Sequence, residues 1–181
     1  MYTRNLLWLV SLVSAAHLYA ADVPANTPLA PQQVFRYNNH SDPGTLDPQK
    51  VEENTAAQIV LDLFEGLVWM DGEGQVQPAQ AERWEILDGG KRYIFHLRSG
   101  LQWSDGQPLT AEDFVLGWQR AVDPKTASPF AGYLAQAHIN NAAAIVAGKA
   151  DVTSQGVKAM DDRTLEVTLE QPVPWFTTML A

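Results

Sequence analysis

The chain of 181 residues contains no cysteine. Disulfides, thiol nucleophiles and cysteine–zinc sites are therefore excluded, and stability rests on the packed core alone. Basic residues are scarce: 12 Lys and Arg stand against 21 Asp and Glu, for a formal charge of -9. A phosphate backbone needs a basic face, so nucleic acid is not expected as a partner. Histidine is sparse as well. Of the four, His17 lies in an apolar N-terminal segment, and His40, His96 and His138 are far apart without ligand spacing. No metal and no other cofactor is expected. A Gly-x-Ser-x-Gly elbow is missing, so Ser104-Asp105-Gly106 reads as a turn and not as a nucleophile. A Gly-rich phosphate loop is missing too: Gly89-Gly90 sits in a hairpin, not at a strand-to-helix junction. There is no internal repeat and no low-complexity tract.

Other residues are abundant. Hydrophobic residues make up 46% of the chain, enough for a real core and against wholesale disorder. Carboxylates occur in close sets (Glu52 and Glu53, Asp71 and Glu73, Asp161 and Asp162), but these fall in turns or at a helix start. Solvated charge and capping explain them better than acid–base chemistry. The six Trp and six Phe stand mostly at periodic positions, where core packing is the expected role. Phe130 is less regular: it follows Ser128-Pro129 in a loop and has the choice of facing a ligand or packing beneath the loop.

Residues 1–20 have the form of a secretory signal peptide. Arg4 supplies the positive start, an apolar run covers residues 6–13, and Ala15, Ala16 and Ala20 approach a cut after Ala20. A membrane anchor fits less well, because Ser11, Ser14 and His17 interrupt the run and it falls short of the ~20 residues a spanning helix needs. A lipid anchor would need a Cys at the cut. Removing the leader takes away only Arg4, which leaves 11 basic against 21 acidic residues, or -10. Residues 22–33, rich in Pro, Ala, Asn and Gln, read as an extended arm.

Beyond the arm, residues 34–37 form a short β-type run, stopped by a turn cluster at Ser41-Asp42-Pro43-Gly44. Asn54 can cap a helix running to about residue 65 and ended by Gly66. Its apolar stripe (Ala56, Ile59, Val60, Leu63, Phe64, then Leu67) predicts core packing. Strand-like runs at 67–70 and around Val76 flank Asp71-Gly72-Glu73-Gly74. Runs at 84–87 and 92–98 flank Asp88-Gly89-Gly90. Tyr93, Phe95 and Leu97 alternate with Arg92, Ile94, His96 and Arg98, giving one buried and one mixed face. The two Gly-containing turns predict an antiparallel meander. Thr110 and Asp113 form an imperfect capping box ahead of a helix that breaks at Asp123-Pro124. Helical pieces follow at 133–137 and 141–147, the second ended by Gly148. A hairpin spans 157–169 around Asp161-Asp162-Arg163, and a new helix is expected at Trp175-Phe176. It is unclosed at Ala181, which suggests a piece of a longer protein. The fold class is α+β, with antiparallel hairpins and interspersed helices.

Ala81-Glu82-Arg83-Trp84, the stretch from Tyr93 through Leu101-Gln102-Trp103-Ser104-Asp105-Gly106, and Leu109-Thr110-Ala111-Glu112-Asp113-Phe114 together resemble the signature of the family 5 bacterial extracellular solute-binding proteins. Leu46-Asp47-Pro48, Trp118-Gln119-Arg120 and Val122-Asp123-Pro124 are similar to its oligopeptide-binding branch. The Ser-Pro-Phe-Ala form at 128–131 is more like the murein-peptide binders. The resemblance implies the N-terminal portion of an α/β two-lobed periplasmic binding protein of type II. Residues 21–64 would start the first lobe, and 65–181 would form most of an extra domain.

The implied function is the periplasmic substrate-binding component of an ABC importer: a monomer that captures short peptides, docks on an inner-membrane permease complex and breaks no bond. Such proteins grip the peptide main chain, which is how one site accepts many sequences. By position, Glu52 and Asn54 would line the cleft and Phe130 would touch ligand. Many oligopeptide binders have Tyr where this chain has Phe130, so a hydroxyl contact would be lost. A murein-peptide binder is the alternative within the family. A secreted hydrolase fragment, or an isolated interaction module, is the alternative outside it. Half a cleft buries half a ligand, so residues 21–181 alone are expected to bind peptide poorly. The leader reading predicts a mature chain beginning at Ala21; mass spectrometry of periplasmic protein should find that N-terminus, and an uncut Met1 would contradict it.

Overall fold

The computed structural model describes residues 27, 28, 31, 32 and 34–181. The expected signal peptide at 1–20 and most of the 22–33 arm lie outside the described residues. The chain divides into two compact units, 1–38 and 39–181.

In the first unit, residues 34–37 do not form the expected strand. Val34, Phe35 and Tyr37 are exposed, and the rings of Phe35 and Tyr37 stack at 6.0 Å. An apolar β-type run becomes a strand only where a neighbouring edge pairs with it. This run joins neither of the two sheets formed by the described residues.

The second unit is built on a four-stranded antiparallel sheet. Helix α1 (Asn54–Leu63) comes first, followed by a small separate ribbon of β1 (Val68–Met70) and β2 (Val76–Pro78). Then come β3 (Ala81–Leu87), β4 (Arg92–Leu97), α2 (Ala111–Val122), α3 (Ala131–Gln136), α4 (Ala142–Val146), β5 (Val157–Asp161) and β6 (Thr164–Thr168). The main sheet has the order β3-β4-β6-β5. Each predicted hairpin is present, but they do not merge into one meander. Pro78 closes β2, and the chain returns through Ala81 N–H to Leu67 O at 2.9 Å before starting a second sheet.

Alternation explains the sheet. Tyr93, Phe95 and Leu97 on β4 and Leu165 and Val167 on β6 are all buried, while the intervening Ile94, His96 and Glu166 are half-buried. Helix α2 packs on β5 and β6. It buries Ala111, Val115 and Val122, with Phe114, Trp118 and Ala121 partly covered. Its start is fixed as predicted: the Asp113 carboxylate accepts from the Thr110 backbone N–H at 2.7 Å and from the Thr110 hydroxyl at 3.0 Å. Tyr93 lies against Phe176 with ring centroids 4.7 Å apart and donates its hydroxyl to Val173 O at 3.3 Å. Gly156 marks a close crossing of three backbones. Its N–H donates to Asn140 O at 2.8 Å, Asn140 N–H to Thr168 O at 2.9 Å, and Thr168 N–H to Gly156 O at 2.8 Å.

Three expectations need correction. First, the apolar stripe is only partly covered: Ala56 and Leu67 are buried, Ile59 and Val60 are half-buried, and Leu63 and Phe64 are exposed. Periodicity gives the direction of an apolar face, and burial also needs an opposing surface. The helix also stops at Leu63, and Glu53, not Asn54, occupies its cap position. Second, no α-helix forms at Trp175-Phe176. A single i to i-4 bond, Met179 N–H to Trp175 O at 3.1 Å, leads into a 3-10 turn at Thr178–Leu180, too little to propagate. Third, Trp69, Trp103 and Trp175 are exposed, so aromatic residues are not uniformly core.

Phe95→Ala in the full-length gene product should cost about 3–5 kcal/mol in denaturant unfolding, because a fully buried ring leaves a cavity. Gly156→Ala should cost about 1–3 kcal/mol, since the new Cβ would sit 2.6 Å from both Asn140 Cβ and Thr168 O. Exposed Ile86→Ser should stay within about 0.5 kcal/mol. A neutral Phe95→Ala would refute the assigned core.

Candidate functional site

The 46–49 loop has little regular structure and lies against α2 because charged and polar groups pin it there. Arg120, in the last turn of α2, donates Nη2 to Asp47 Oδ2 at 2.6 Å and Nη1 to Asp47 Oδ1 at 3.0 Å. The same Nη1 reaches Gln49 Oε1 at 2.5 Å. Gln49 in turn donates Nε2 to Gly117 O at 2.6 Å. A third segment joins through Ser128, whose hydroxyl donates to Gln49 O at 2.7 Å and accepts from Phe130 N–H at 3.2 Å. A fork of guanidinium donors matched to a carboxylate fixes orientation as well as distance. The Arg120 hydrogen bond is the main reason that the Asp47 carboxyl is held below its ordinary range. Its burial opposes this, and the Gln49 backbone N–H adds to it.

Two adjoining hollows flank this network. The smaller, about 360 Å³, is lined by Pro48, Gln49, Trp118, Phe130, Tyr133 and Leu134, with Gly117, Ala121 and Ser128. The larger, about 530 Å³, runs past Leu63, Phe64, Trp103, Leu109, Phe114 and Trp118. Its two acids are occupied: Glu65 accepts from Arg98 at 2.6 Å, and Asp113 caps α2. Neither hollow is lined by Lys or Arg. Both volumes fall within the range of small-molecule sites, and the walls are largely apolar with a few directed polar groups. Such walls can hold rings and aliphatic side chains by burial, and they supply no cation for an anion.

Of the three residues named from the sequence, Phe130 lies in the wall of the smaller hollow, half-exposed, directly before α3. Glu52 is exposed in the loop ahead of α1, and Asn54 is exposed at the helix start. Neither lines a hollow. The structure therefore does not gather the three around one cavity. Sequence reasoning missed Asp47, Gln49, Arg120 and Ser128 as a set. No spacing could have joined Asp47 to Arg120, 73 positions apart. Among the described residues, no group of three or more His, Asp or Glu could hold a metal ion.

The family described as bacterial extracellular solute-binding proteins, family 5 middle, matches residues 75–181. The probable deoxycholate-binding periplasmic protein of Escherichia coli K12 is 98% identical over 181 residues, all of this chain and 34% of that protein. The periplasmic oligopeptide-binding protein of Salmonella typhimurium LT2 is 50% identical over 172 residues, 95% of this chain and 32% of that one. The solved structure of the Escherichia coli murein tripeptide-binding protein superposes with a TM-score of 0.74 at 46% identity, covering 77% of this chain and 27% of that one. The chain spans about a third of the length of the curated relatives it matches.

Because the Arg120 contact favours the ionised form of Asp47, the folded pKa of this carboxyl lies below the unfolded value. Its stabilising effect is therefore present above the ordinary carboxylate range and fades as pH falls through the lowered folded value. Asp47→Asn should lower the thermal midpoint at pH 7 by no more than a few degrees, as for an exposed pair, and that gap to the unsubstituted protein should shrink below about pH 4. A gap that is constant or widens in acid would contradict the pairing.

Proposed function

Since the chain belongs to the family 5 bacterial extracellular solute-binding proteins, we propose that it is the N-terminal part of the periplasmic substrate-binding component of an ABC importer, capturing short peptides for uptake. The match of residues 75–181 to that family carries this reading. In this reading the leader at 1–20 is cleaved on export. Residues 21–64 begin the first lobe, and 65–181 form an extra domain beside it. The rest of the protein completes the cleft and also covers the exposed face of α1. Ligand is released to an inner-membrane permease without bond cleavage, and the protein works as a monomer. Glu52, Asn54 and Phe130 contact ligand once the lobes close. Peptide is the favoured cargo because relatives near half identity are named for oligopeptide and murein peptide.

One observation favours a second cargo. The relative at 98% identity is named for deoxycholate, an amphipathic steroid acid. The apolar walls around Trp118, Phe130 and Leu134 suit a fused-ring body as well as a peptide side chain. The acid's carboxylate would need a partner elsewhere, since no Lys or Arg lines either hollow.

Titration calorimetry on the full-length gene product separates these readings. A mixture of tripeptides should bind with micromolar or tighter affinity and be recovered intact. Residues 21–181 alone should bind at least about tenfold more weakly. Binding of deoxycholate with no heat from tripeptides would transfer the assignment to the steroid acid. Binding of neither would overturn the transport reading.

A further inference from the structure

Resting on the ligand-capture reading above, we propose that Arg120 is a positioning residue: by gripping Asp47 and Gln49 it fixes the gap between Pro48 and Phe130, and through that gap the affinity for ligand. Pro48 lies in the loop before α1, and Phe130 lies 82 positions later, at the start of α3; both line the same hollow. Phe130 is placed by α3, which it directly precedes, whereas Pro48 lies in a loop that belongs to no strand or helix, so regular structure alone does not set their separation. What joins them is a chain of polar contacts. Arg120 holds Asp47 through both nitrogens, at 2.6 and 3.0 Å, and holds the Gln49 side chain at 2.5 Å. The backbone oxygen of Gln49 receives the Ser128 hydroxyl at 2.7 Å, and that hydroxyl oxygen receives the Phe130 N–H at 3.2 Å.

The loop carrying Phe130 also shows backbone strain. Ala127 has φ 52, a left-handed conformation that a residue with a Cβ adopts at a cost. Such strain persists only where surrounding contacts impose it, and the Ser128 anchor to Gln49 is the adjacent contact. The Arg120 and Asp47 side chains are 47% and 25% exposed, so their pairing adds little to global stability. Its larger consequence is geometric, because the two-pronged fork admits one orientation of the 46–49 loop. Lys in its place would keep the charge and lose the simultaneous hold on Asp47 and Gln49.

The test uses the full-length gene product with trialanine and deoxycholate as separate probes, read by calorimetry beside thermal unfolding. Arg120→Met should weaken binding of the active probe about tenfold, as expected when a wall of a site loosens by about an ångström. Its unfolding midpoint should stay within a few degrees of the unsubstituted protein. Arg120→Lys should fall between the two, Ser128→Ala should weaken binding in the same direction, and the double exchange Asp47→Arg with Arg120→Asp should recover part of the loss. The proposal is overturned if Arg120→Met binds like the unsubstituted protein, or if its weakening follows a collapse of the midpoint with no rescue by Lys. If the unsubstituted protein binds neither probe, the functional reading falls and this proposal falls with it.

Discussion

Tyr93, Phe95 and Leu97 place three buried side chains on one face of β4, which lies between β3 and β6 in the main sheet. Leu165 and Val167 on β6 extend that face, and α2 packs over β6 and β5. This apolar contact is what fixes α2 relative to the sheet. The polar network then depends on α2, because the Gly117 carbonyl accepts from Gln49 and the Arg120 guanidinium donates to Asp47 in the 46–49 loop. Burial of this kind is non-directional, so it places the helix without specifying loop detail. The directed hydrogen bonds of Arg120, Gln49 and Ser128 supply that detail. The site is thus assembled in two steps of different physics, an apolar platform and a polar clamp.

Much of the sheet was legible in the sequence because its signals are local. Alternation at 93–97 and at 165–169 marks buried faces with a period of two. Asp88-Gly89-Gly90 supplies the positive backbone angles the turn requires, with φ 65 at Gly89 and φ 91 at Gly90. The Thr110–Asp113 pair announced the start of α2 and is formed with Asp in the role more often taken by Glu. Two of the failures share one cause. Residues 34–37 and the stripe of α1 carry correct apolar patterns, but a pattern does not reveal whether its partner lies within the same stretch of chain. Leu63 and Phe64 are apolar, on the expected face, and exposed.

The candidate site was legible only in part. Phe130 stood out because a bulky ring follows Ser-Pro in a loop, and the structure places it at a hollow. Glu52 and Asn54 came from resemblance, and they line neither hollow. Asp47 and Arg120 each fell within a recognised segment, but their pairing is a fact of tertiary structure that local patterns do not encode. The walls they organise are largely apolar, and no Lys or Arg lines either hollow, which suits holding apolar groups by burial.

The proposed function has the whole protein enclose a small ligand and return it chemically unchanged. Native mass spectrometry of the full-length protein loaded with cargo, followed by denaturation and mass analysis of what is released, tests this most directly. The account predicts one equivalent of ligand per chain with its mass unaltered after prolonged incubation. Release of cleaved or modified product, accumulating beyond one equivalent, would contradict it.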